Sequence, residues 1–386
     1  MASSLRARLN AIKQSSNAAP APSRISGLER YVDRQSMPEA LYHPAAEALR
    51  RIGWNGRKFD IEKCLFIDTE TTGLSGGAGT VAFLVGVGYI SRGFMTVEQF
   101  FMRDYSDEPE LLYRLKAIME RFECAVHFNG KTFDMPLIRS RFTMNRMKDY
   151  PELFDLDLLP PSRRVWKLRL ESCRLANLEE RVLGLEREND LPGSEVPQRY
   201  FDFLKTGDMG LVEDIIRHNR QDIFSLGLLM NKLLSVYTSP EKQGYVQDLF
   251  SLGKALEKQG ENAKARELYR LSAVPRKALS VSALRDGGIA GQANARLYRL
   301  CLRANDVDGA IATLEQMLSR RQMGIFPHIE LAKIYEHRTK DYKKALRHAR
   351  LALDGCCADE EAPLRKREAR IMMKMSKADI QAQKGN

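Results

Sequence analysis

The sequence has no long hydrophobic run, and its few cysteines are not spaced as metal ligands. No apolar stretch among the 386 residues is long enough to span a membrane, so we expect no membrane contact. The first residues lead into no apolar segment of a secretory signal. The six cysteines form no Cys-x-x-Cys pair, and the adjacent Cys356 and Cys357 are poorly spaced for zinc. These absences predict a cytoplasmic protein with reduced thiols.

Charge is distributed unevenly along the chain. Residues 61–240 carry 23 Lys and Arg against 27 Asp and Glu, whereas residues 241–386 carry 28 against 18. Residues 1–60 are also basic, with 10 against 5. An acidic centre that needs cations, between basic ends that attract polyanions, is typical of an enzyme acting on phosphodiesters. Solvated basic helix faces would give the same balance, so charge alone leaves both interpretations open.

The chain length predicts at least two domains. Residues 1–27, rich in Ser, Ala, Pro and Arg, predict a disordered basic arm, and residues 28–60 predict an N-terminal extension. Residues 61–238 contain three strand patterns joined by short turns, then a helix, a fourth strand and further helices. This order predicts an α/β domain with a mixed sheet flanked by helices.

Residues 239–386 predict an all-helical domain with internal repeats. Three pairs of similar segments align, beginning at Leu252, Leu297 and Leu331. The last two are 34 residues apart, which is the tetratricopeptide period, and an insertion within 274–290 lengthens the first repeat. Ala residues recur where two helices of a hairpin must approach closely. We therefore expect a tetratricopeptide-like array, with an irregular helical bundle as the alternative.

Asp68 and Glu70 are the most informative pair in the sequence. Four apolar residues lead up to them, and alternate side chains of a strand share a face, so both carboxylates point the same way. Two adjacent carboxylates repel each other unless a cation lies between them, and Mg²⁺ and Mn²⁺ favour such ligands. The pair predicts half of a metal site, with an exposed strand end as the alternative.

Two further segments supply candidate ligands. Asp134 follows a strand that ends at Asn129 and a Gly130 turn, so it would begin a helix beside the strand ends. His218 and Asp222 are four residues apart and share a helix face, where the imidazole could take a proton from an attacking water. Taken singly, each motif is better explained without a metal, Asp134 as a helix N-terminal charge and His218–Asp222 as a surface pair on a polar helix.

The three motifs occur in the order of the DEDD 3′–5′ exonuclease superfamily, which the sequence resembles. More closely, residues 61–236 resemble the YprB family of ribonuclease-H-like proteins. The segments that carry the resemblance are FIDTETTGL at 66–74, FNGKTFDMPL at 128–137, DLL at 157–159, RRVWK at 163–167, LPGS at 191–194 and HNRQD at 218–222. The resemblance implies a ribonuclease-H-like domain, here followed by the tetratricopeptide-like domain.

The resemblance also implies two divalent metal ions, Mg²⁺ or Mn²⁺. Asp68, Glu70 and Asp222 would hold the first, and Asp68 with Asp134 would hold the second. One ion would activate water and the other would stabilise the leaving 3′ oxygen, with His218 as general base. One feature departs from the superfamily: its histidine type places His five residues before the last Asp, and here the separation is four.

Substrate contacts are predicted around these motifs. Thr71, Gly73 and Leu74 could wedge a terminal nucleotide, and Asn129 and Lys131 could reach a phosphate. A third group places cations beside an aromatic ring, which suits backbone contact and base stacking, although a solvated helix face explains it as well. That group is Arg163, Arg164, Trp166, Lys167 and Arg169.

The sequence therefore predicts a metal-dependent nuclease that acts on DNA or RNA, with trimming of a single-stranded 3′ end favoured. Two alternatives remain open. The same scaffold could cut internally as an endonuclease, or a non-catalytic domain could bind nucleic acid while the repeats bind a protein partner. Retention of all four carboxylates favours the enzyme.

Overall fold

A computed structural model describes residues 27–54, 58–73, 79–187, 191–274 and 283–384. The predicted arm lies outside these residues except for Gly27, and the predicted insertion lies partly outside them. The chain divides into two compact units. The first contains the residues up to Pro161 and Cys173–Leu234, and the second contains Ser162–Ser172 and the residues from Ser235 onward. No helix among the described residues is long and apolar enough to cross a bilayer.

The first unit is built on a six-stranded sheet with the strand order β1-β4-β3-β2-β5-β6. The strands are β1 (Glu29–Ser36), β2 (Cys64–Thr71), β3 (Ala82–Ser91), β4 (Phe94–Phe101), β5 (Cys124–His127) and β6 (Phe154–Asp157). Strands β2, β3 and β4 form the predicted antiparallel meander. Strands β2, β5 and β6 are parallel, so their carboxyl ends lie at one edge of the sheet. That edge is where the candidate ligands were expected.

Seven α-helices among the described residues lie between Ala46 and Thr238. They are α1 (Ala46–Ile52), α2 (Glu108–Met119), α3 (Asp134–Met144), α4 (Leu159–Leu170), α5 (Leu175–Leu178), α6 (Val196–Thr206) and α7 (Glu213–Thr238). The predicted apolar stripe of α2, from Leu111 to Phe122, is buried. The boundary between the units passes through α4 and again near the end of α7.

Glycines in β3 let helix α7 lie close to the sheet. A Cβ at Gly88 would lie 2.5 Å from Ile223 Cγ2, and one at Gly86 would lie 2.2 Å from Asn219 Oδ1. Ile223 and Asn219 are both fully buried. The small residues of β3 therefore bring α7, which carries His218 and Asp222, against the strand beside β2.

Residues 28–60 are more than an extension, because β1 joins the sheet by pairing antiparallel with β4. Strand β6 was also not predicted. The combination of a mixed sheet, flanking helices and the strand order above confirms the predicted α/β architecture.

The second unit is helical throughout its described part. Its helices after α7 are α8 (Val246–Lys258), α9 (Asn262–Ala273), α10 (Ala283–Arg303), α11 (Val307–Ser319), α12 (Phe326–Ile334), α13 (Tyr342–Asp354) and α14 (Ala358–Lys384). The three predicted pairs correspond to α8–α9, α10–α11 and α12–α13, each joined by a short connection. Ala265, Ala310 and Ala345, which open the second segment of each pair, are all fully buried. The region therefore agrees with a helical repeat array.

Candidate active site

Asp68 and Glu70 lie near the carboxyl end of β2, at alternate positions that share one face of the sheet. Both side chains are half-buried, whereas Ile67, Thr69 and Thr71 between and beside them are buried. The register of β2 against β3 shifts between Glu70 and Thr71. The apolar residues that precede Asp68 are buried, so both carboxylates lie at the edge of the core.

Asp68 is held by a chain of buried amides. Asn219 Nδ2 donates to Asp68 Oδ2 at 2.9 Å, and Gln99 Nε2 donates to Asn219 Oδ1 at 2.8 Å. Gln99 also donates to the carbonyl of Ile216 at 2.8 Å. The sequence analysis did not identify these two amides, although a signal for them exists. Asn219 occupies a position on the apolar stripe of α7, and Gln99 is a polar residue in an apolar strand.

Asp134 begins α3 and is buried. The hydroxyl of Thr69, which lies between Asp68 and Glu70, donates a hydrogen bond to Asp134 Oδ1. Before it, a Cβ at Gly130 would lie 2.7 Å from the ring of His127, so the turn after β5 requires glycine. The segment from Gly130 to Asp134 therefore brings a third carboxylate next to β2, as the motif predicted.

The electrostatics show that these carboxylates lie close together. Burial raises the pKa of Asp68 well above its usual range, and the charges of Asp222, Asp134 and Glu70 raise it further. Burial, with Asp222 and Asp134, raises the pKa of Glu70 to about 8, against the opposing charges of His218 and Arg187. Burial also raises the pKa of Asp134, although the Thr69 hydrogen bond opposes it. The cluster therefore has a deficit of positive charge.

His218 and Asp222 face each other across one turn of α7, with His218 Nε2 3.3 Å from Asp222 Oδ2. Burial lowers the pKa of His218, but the hydrogen bond and negative charge of Asp222 outweigh it, so the net shift is upward. His218 also affects Glu70, since its charge lowers the pKa of that carboxyl. The helix therefore brings the predicted imidazole and the fourth carboxylate into the same cluster.

Arg187 enters the cluster from outside the predicted motifs. Its Nη2 donates to Asp222 Oδ1, its Nη1 lies 2.6 Å from His218 Nε2, and its Nε donates to Glu179. Glu179 is fully buried and also accepts a hydrogen bond from Ser225. Sequence reasoning missed both residues, because a single charge in an irregular segment has no periodic signal.

Comparison with known proteins agrees with this geometry. Residues 65–234 match the profile RNase_H_2 of the RNase_H superfamily. The uncharacterized protein YprB of Bacillus subtilis (strain 168) is 31% identical over 337 residues, which cover 83% of this chain and 77% of the relative. The chain belongs to the YprB family. Its first unit is a ribonuclease-H-like domain, as the sequence resemblance implied.

Ribonuclease-H-like nucleases of the kind that the YprB domain resembles use divalent metals, and the donor set here fits such an ion. The carboxylates of Asp68, Glu70, Asp134 and Asp222 supply oxygen ligands of the kind that Mg²⁺ and Mn²⁺ prefer, and the pKa values of Asp68, Glu70 and Asp134 are raised. Within the described ranges, no three acidic, His or Cys side chains already form a metal-binding group. Arg187 pairs with Asp222.

The predicted substrate residues near these carboxylates differ in their exposure to solvent. Thr71 is buried and its hydroxyl donates to the carbonyl of Gly73 at 2.8 Å, which shapes the turn after β2. Asn129 and Lys131 are exposed in the turn after β5, and Asn129 has a positive φ of 66°. Leu74 lies outside the described residues. Among the described residues of these two turns, Asn129 and Lys131 are the predicted substrate residues that are exposed to solvent.

The predicted basic and aromatic cluster belongs to the second unit. Arg163 and Arg164 are exposed on α4, in the segment Ser162–Ser172. Trp166 is buried, with 1% of its surface exposed, so its ring is packed rather than presented to a base. The interpretation of Trp166 as a stacking platform is therefore not supported by its position.

Proposed function

We propose that this chain is a divalent-metal-dependent nuclease that hydrolyses phosphodiester bonds from a 3′ end. Family membership supports a nuclease-like function. The observation that carries the finer proposal is the convergence of Asp68, Glu70, Asp134 and Asp222. Separate segments bring these carboxylates close enough for the charges of the other three to raise the pKa of Asp68. Placing so many like charges together is unfavourable unless cations bind there.

The residues have distinct proposed roles. Asp68, Glu70 and Asp222 would hold one ion, and Asp68 and Asp134 a second. When bound, the ions would supply the Lewis-acid chemistry that stabilises charge on the phosphodiester oxygens. Asn219 fixes Asp68, and the Thr69 hydroxyl fixes Asp134.

His218 is the proposed general base. Its upward-shifted pKa and its position one turn from Asp222 suit a group that accepts a proton from the attacking water and becomes an imidazolium beside a carboxylate. The four-residue spacing does not disfavour this role, because residues four apart share a helix face. In the conformation described, Arg187 contacts the same Nε2 atom.

The proposed substrate is a single strand of DNA or RNA, because the carboxylate chemistry acts on the phosphodiester that both share. Asn129 and Lys131 would contact a phosphate, and Arg163 and Arg164 would add backbone contacts. The helical repeats would bind a partner protein or the substrate itself. The net charge of residues 241–386, with 28 basic against 18 acidic side chains, favours a polyanion.

The decisive experiment is cleavage of labelled single strands in Mn²⁺ and in EDTA. We expect metal-dependent cleavage by the natural protein and a loss of at least about 100-fold in Asp68→Asn, because the charge that binds both ions is removed. Asp202→Asn, at an exposed residue paired with Lys205, is the matched control and should retain full activity. Binding without cleavage under every divalent ion would overturn the proposal.

The position of the label distinguishes the direction of attack. A 5′-labelled strand degraded from its 3′ end gives a descending ladder, and blocking the 3′ end should abolish it. Internal fragments that persist with a blocked end would identify an endonuclease instead. Parallel DNA and RNA substrates of one sequence assign the sugar preference.

A further inference from the structure

Arg187 is the one basic side chain, among the described residues, bonded to both Asp222 and His218. Its side chain is buried to all but 11%, and those of His218 and Asp222 to all but 21% and 13%. A guanidinium has only donors, so in the 2.6 Å contact His218 Nε2 accepts a hydrogen bond from Arg187 Nη1. In this arrangement the His218 lone pair and one Asp222 oxygen are both engaged by Arg187.

These contacts are incompatible with the roles proposed for the same atoms. A general base must offer its lone pair to water, and His218 Nε2 offers it to Arg187 instead. A metal ligand must offer its oxygen to a cation, and Asp222 Oδ1 already accepts from Nη2 of a cation supplied by the chain. Arg187 therefore supplies internally some of the positive charge that the cluster lacks.

Glu179 makes this position of Arg187 stable. Its carboxylate is fully buried, accepts from Arg187 Nε, and accepts at its other oxygen from Ser225 Oγ. A buried carboxylate without a counter-charge is costly, so Glu179 holds the guanidinium beside α7. Because Glu179 binds Nε, it remains a partner for Arg187 when the two Nη atoms leave Asp222 and His218.

We propose that Arg187 is a built-in competitor for the divalent cation at Asp222. With Arg187 bonded to Asp222 and His218, the site is closed, and the ion and the guanidinium exclude each other there. The proposal rests on the proposed metal-binding function of the site. It predicts that Arg187 weakens metal binding, which is the opposite of what a residue that supports the metal would do.

The test is the affinity for Mn²⁺ alone, measured on the full chain. Calorimetry and the loss of the electron paramagnetic resonance signal of free Mn²⁺ give this affinity. We expect Arg187→Gln to bind Mn²⁺ at least about tenfold more tightly than the natural protein, since a positive charge is removed from a low-dielectric site. Arg181→Gln removes an equal charge from an exposed residue, paired with Glu180, and should leave the affinity unchanged. When Asp222→Asn is also present, Arg187→Gln should no longer increase the affinity for Mn²⁺.

Arg187→Gln leaves Glu179 buried without its guanidinium, so folding is checked by circular dichroism. The double variant Glu179→Gln with Arg187→Gln removes both charges and should show the same gain in affinity. If the natural protein binds Mn²⁺ through Asp68 but both Arg187 variants bind it equally or more weakly, the competitor role is wrong and the metal site stands. If no variant binds Mn²⁺, both the competitor role and the proposed nuclease fail.

Discussion

At the scale of single residues, the candidate active site concentrates unfavourable charge at the edge of an apolar core. Asp68, Glu70 and Asp134 each have a raised pKa, and burial is the first cause in every case. Such groups lower the stability of the metal-free fold when they ionise. The candidate site therefore lowers the stability of the fold, as is common at functional sites.

The pH dependence of the metal-free protein should reveal this cost. Glu70 has a pKa of about 8 in the fold against an ordinary value of 4.5, so the folded state retains a proton that the unfolded state releases. The penalty is absent below about 4.5, grows as pH rises, and is complete above about 8. We expect the natural protein in EDTA to lose more stability than Glu70→Gln between pH 5 and pH 8.5, measured by urea unfolding.

The comparison of the two proteins isolates Glu70 from the other titrating groups. Glu110→Gln, at an exposed helix residue paired with Arg114, serves as control and should follow the natural protein. Saturating Mn²⁺ should reduce the difference between the natural protein and Glu70→Gln, because a bound cation favours the ionised carboxylate. Parallel stability curves for the natural protein and Glu70→Gln across this range would contradict the raised pKa.

Gly86 provides a second test at the residue scale. A Cβ at this position would lie 2.2 Å from Asn219 Oδ1, so Gly86→Ala must displace the amide that holds Asp68. We expect a loss of about 1–3 kcal/mol in stability from overpacking, and a larger fractional loss of nuclease activity than of substrate binding. Thermal unfolding and cleavage rates measure the two effects.

Gly244→Ala is the matched control for Gly86→Ala. A Cβ there would meet no atom within 4 Å, so both stability and activity should stay close to those of the natural protein. An Asn219→Ala variant with a similar loss of activity would support the route through Asn219. Full activity in Gly86→Ala would show that Asn219 does not position Asp68.

The carboxylates could be located from the sequence because each lies in a segment with its own local pattern. Asp68 and Glu70 end an apolar strand, Asp134 follows a glycine turn, and Asp222 lies on an amphipathic helix. Arg187 could not be located this way, since its role depends on contacts with residues distant in the chain. Trp166 was misjudged because an aromatic beside arginines has the same sequence pattern whether buried or exposed.

At the scale of elements, helix α14 is attached by one buried carboxylate. The side chain of Glu336 is fully buried and forms ion pairs with Arg367, Arg370 and Lys374, all on α14. Burial alone would raise the pKa of Glu336, but hydrogen bonds from Arg370 and Lys374 outweigh it and lower the pKa to about 2. The cations are partly exposed, so each pair is weaker than a fully buried one.

Glu336→Gln should therefore loosen α14 selectively. We expect its opening free energy, measured by hydrogen exchange, to fall by about 1–3 kcal/mol, because three cations lose their counter-charge. Since the folded pKa is depressed from 4.5 to about 2, the contribution of the carboxylate is present above 4.5 and lost as pH falls toward 2. Glu361→Gln, at an exposed residue paired with Arg365, should leave the exchange rates unchanged.

Elements with an apolar stripe or a continuous apolar run were predictable from the sequence. Helix α2 buries one stripe and strand β4 is buried along most of its length, and their predicted bounds lie close to those observed. Strand β1 alternates only between partly buried and exposed residues, because it is an edge strand with one paired neighbour. Strand β6 is as short as β5, but only Leu156 of its four residues is buried, so it lacks the apolar run that marked β5.

At the scale of the whole molecule, the clustered carboxylates and most of the excess of basic residues belong to different units. All four carboxylates and His218 lie in the first unit, whereas most of the basic excess lies in residues 241–386. The predicted division at residue 238 remains a prediction. The observed units agree with it in order but exchange one short segment, Ser162–Ser172.

That exchanged segment limits how far the protein can be treated as separable modules. The chain passes from one unit to the other at 161, 172 and 234, so no single cut yields both units intact. Arg169, in the exchanged segment, donates to Asp248 at 3.0 Å and lies over the ring of Tyr245 at 4.1 Å. A fragment that ends at Leu234 would contain Arg169 but neither Tyr245 nor Asp248. A single cut in the chain, or a stop codon after the first unit, would therefore divide the second unit.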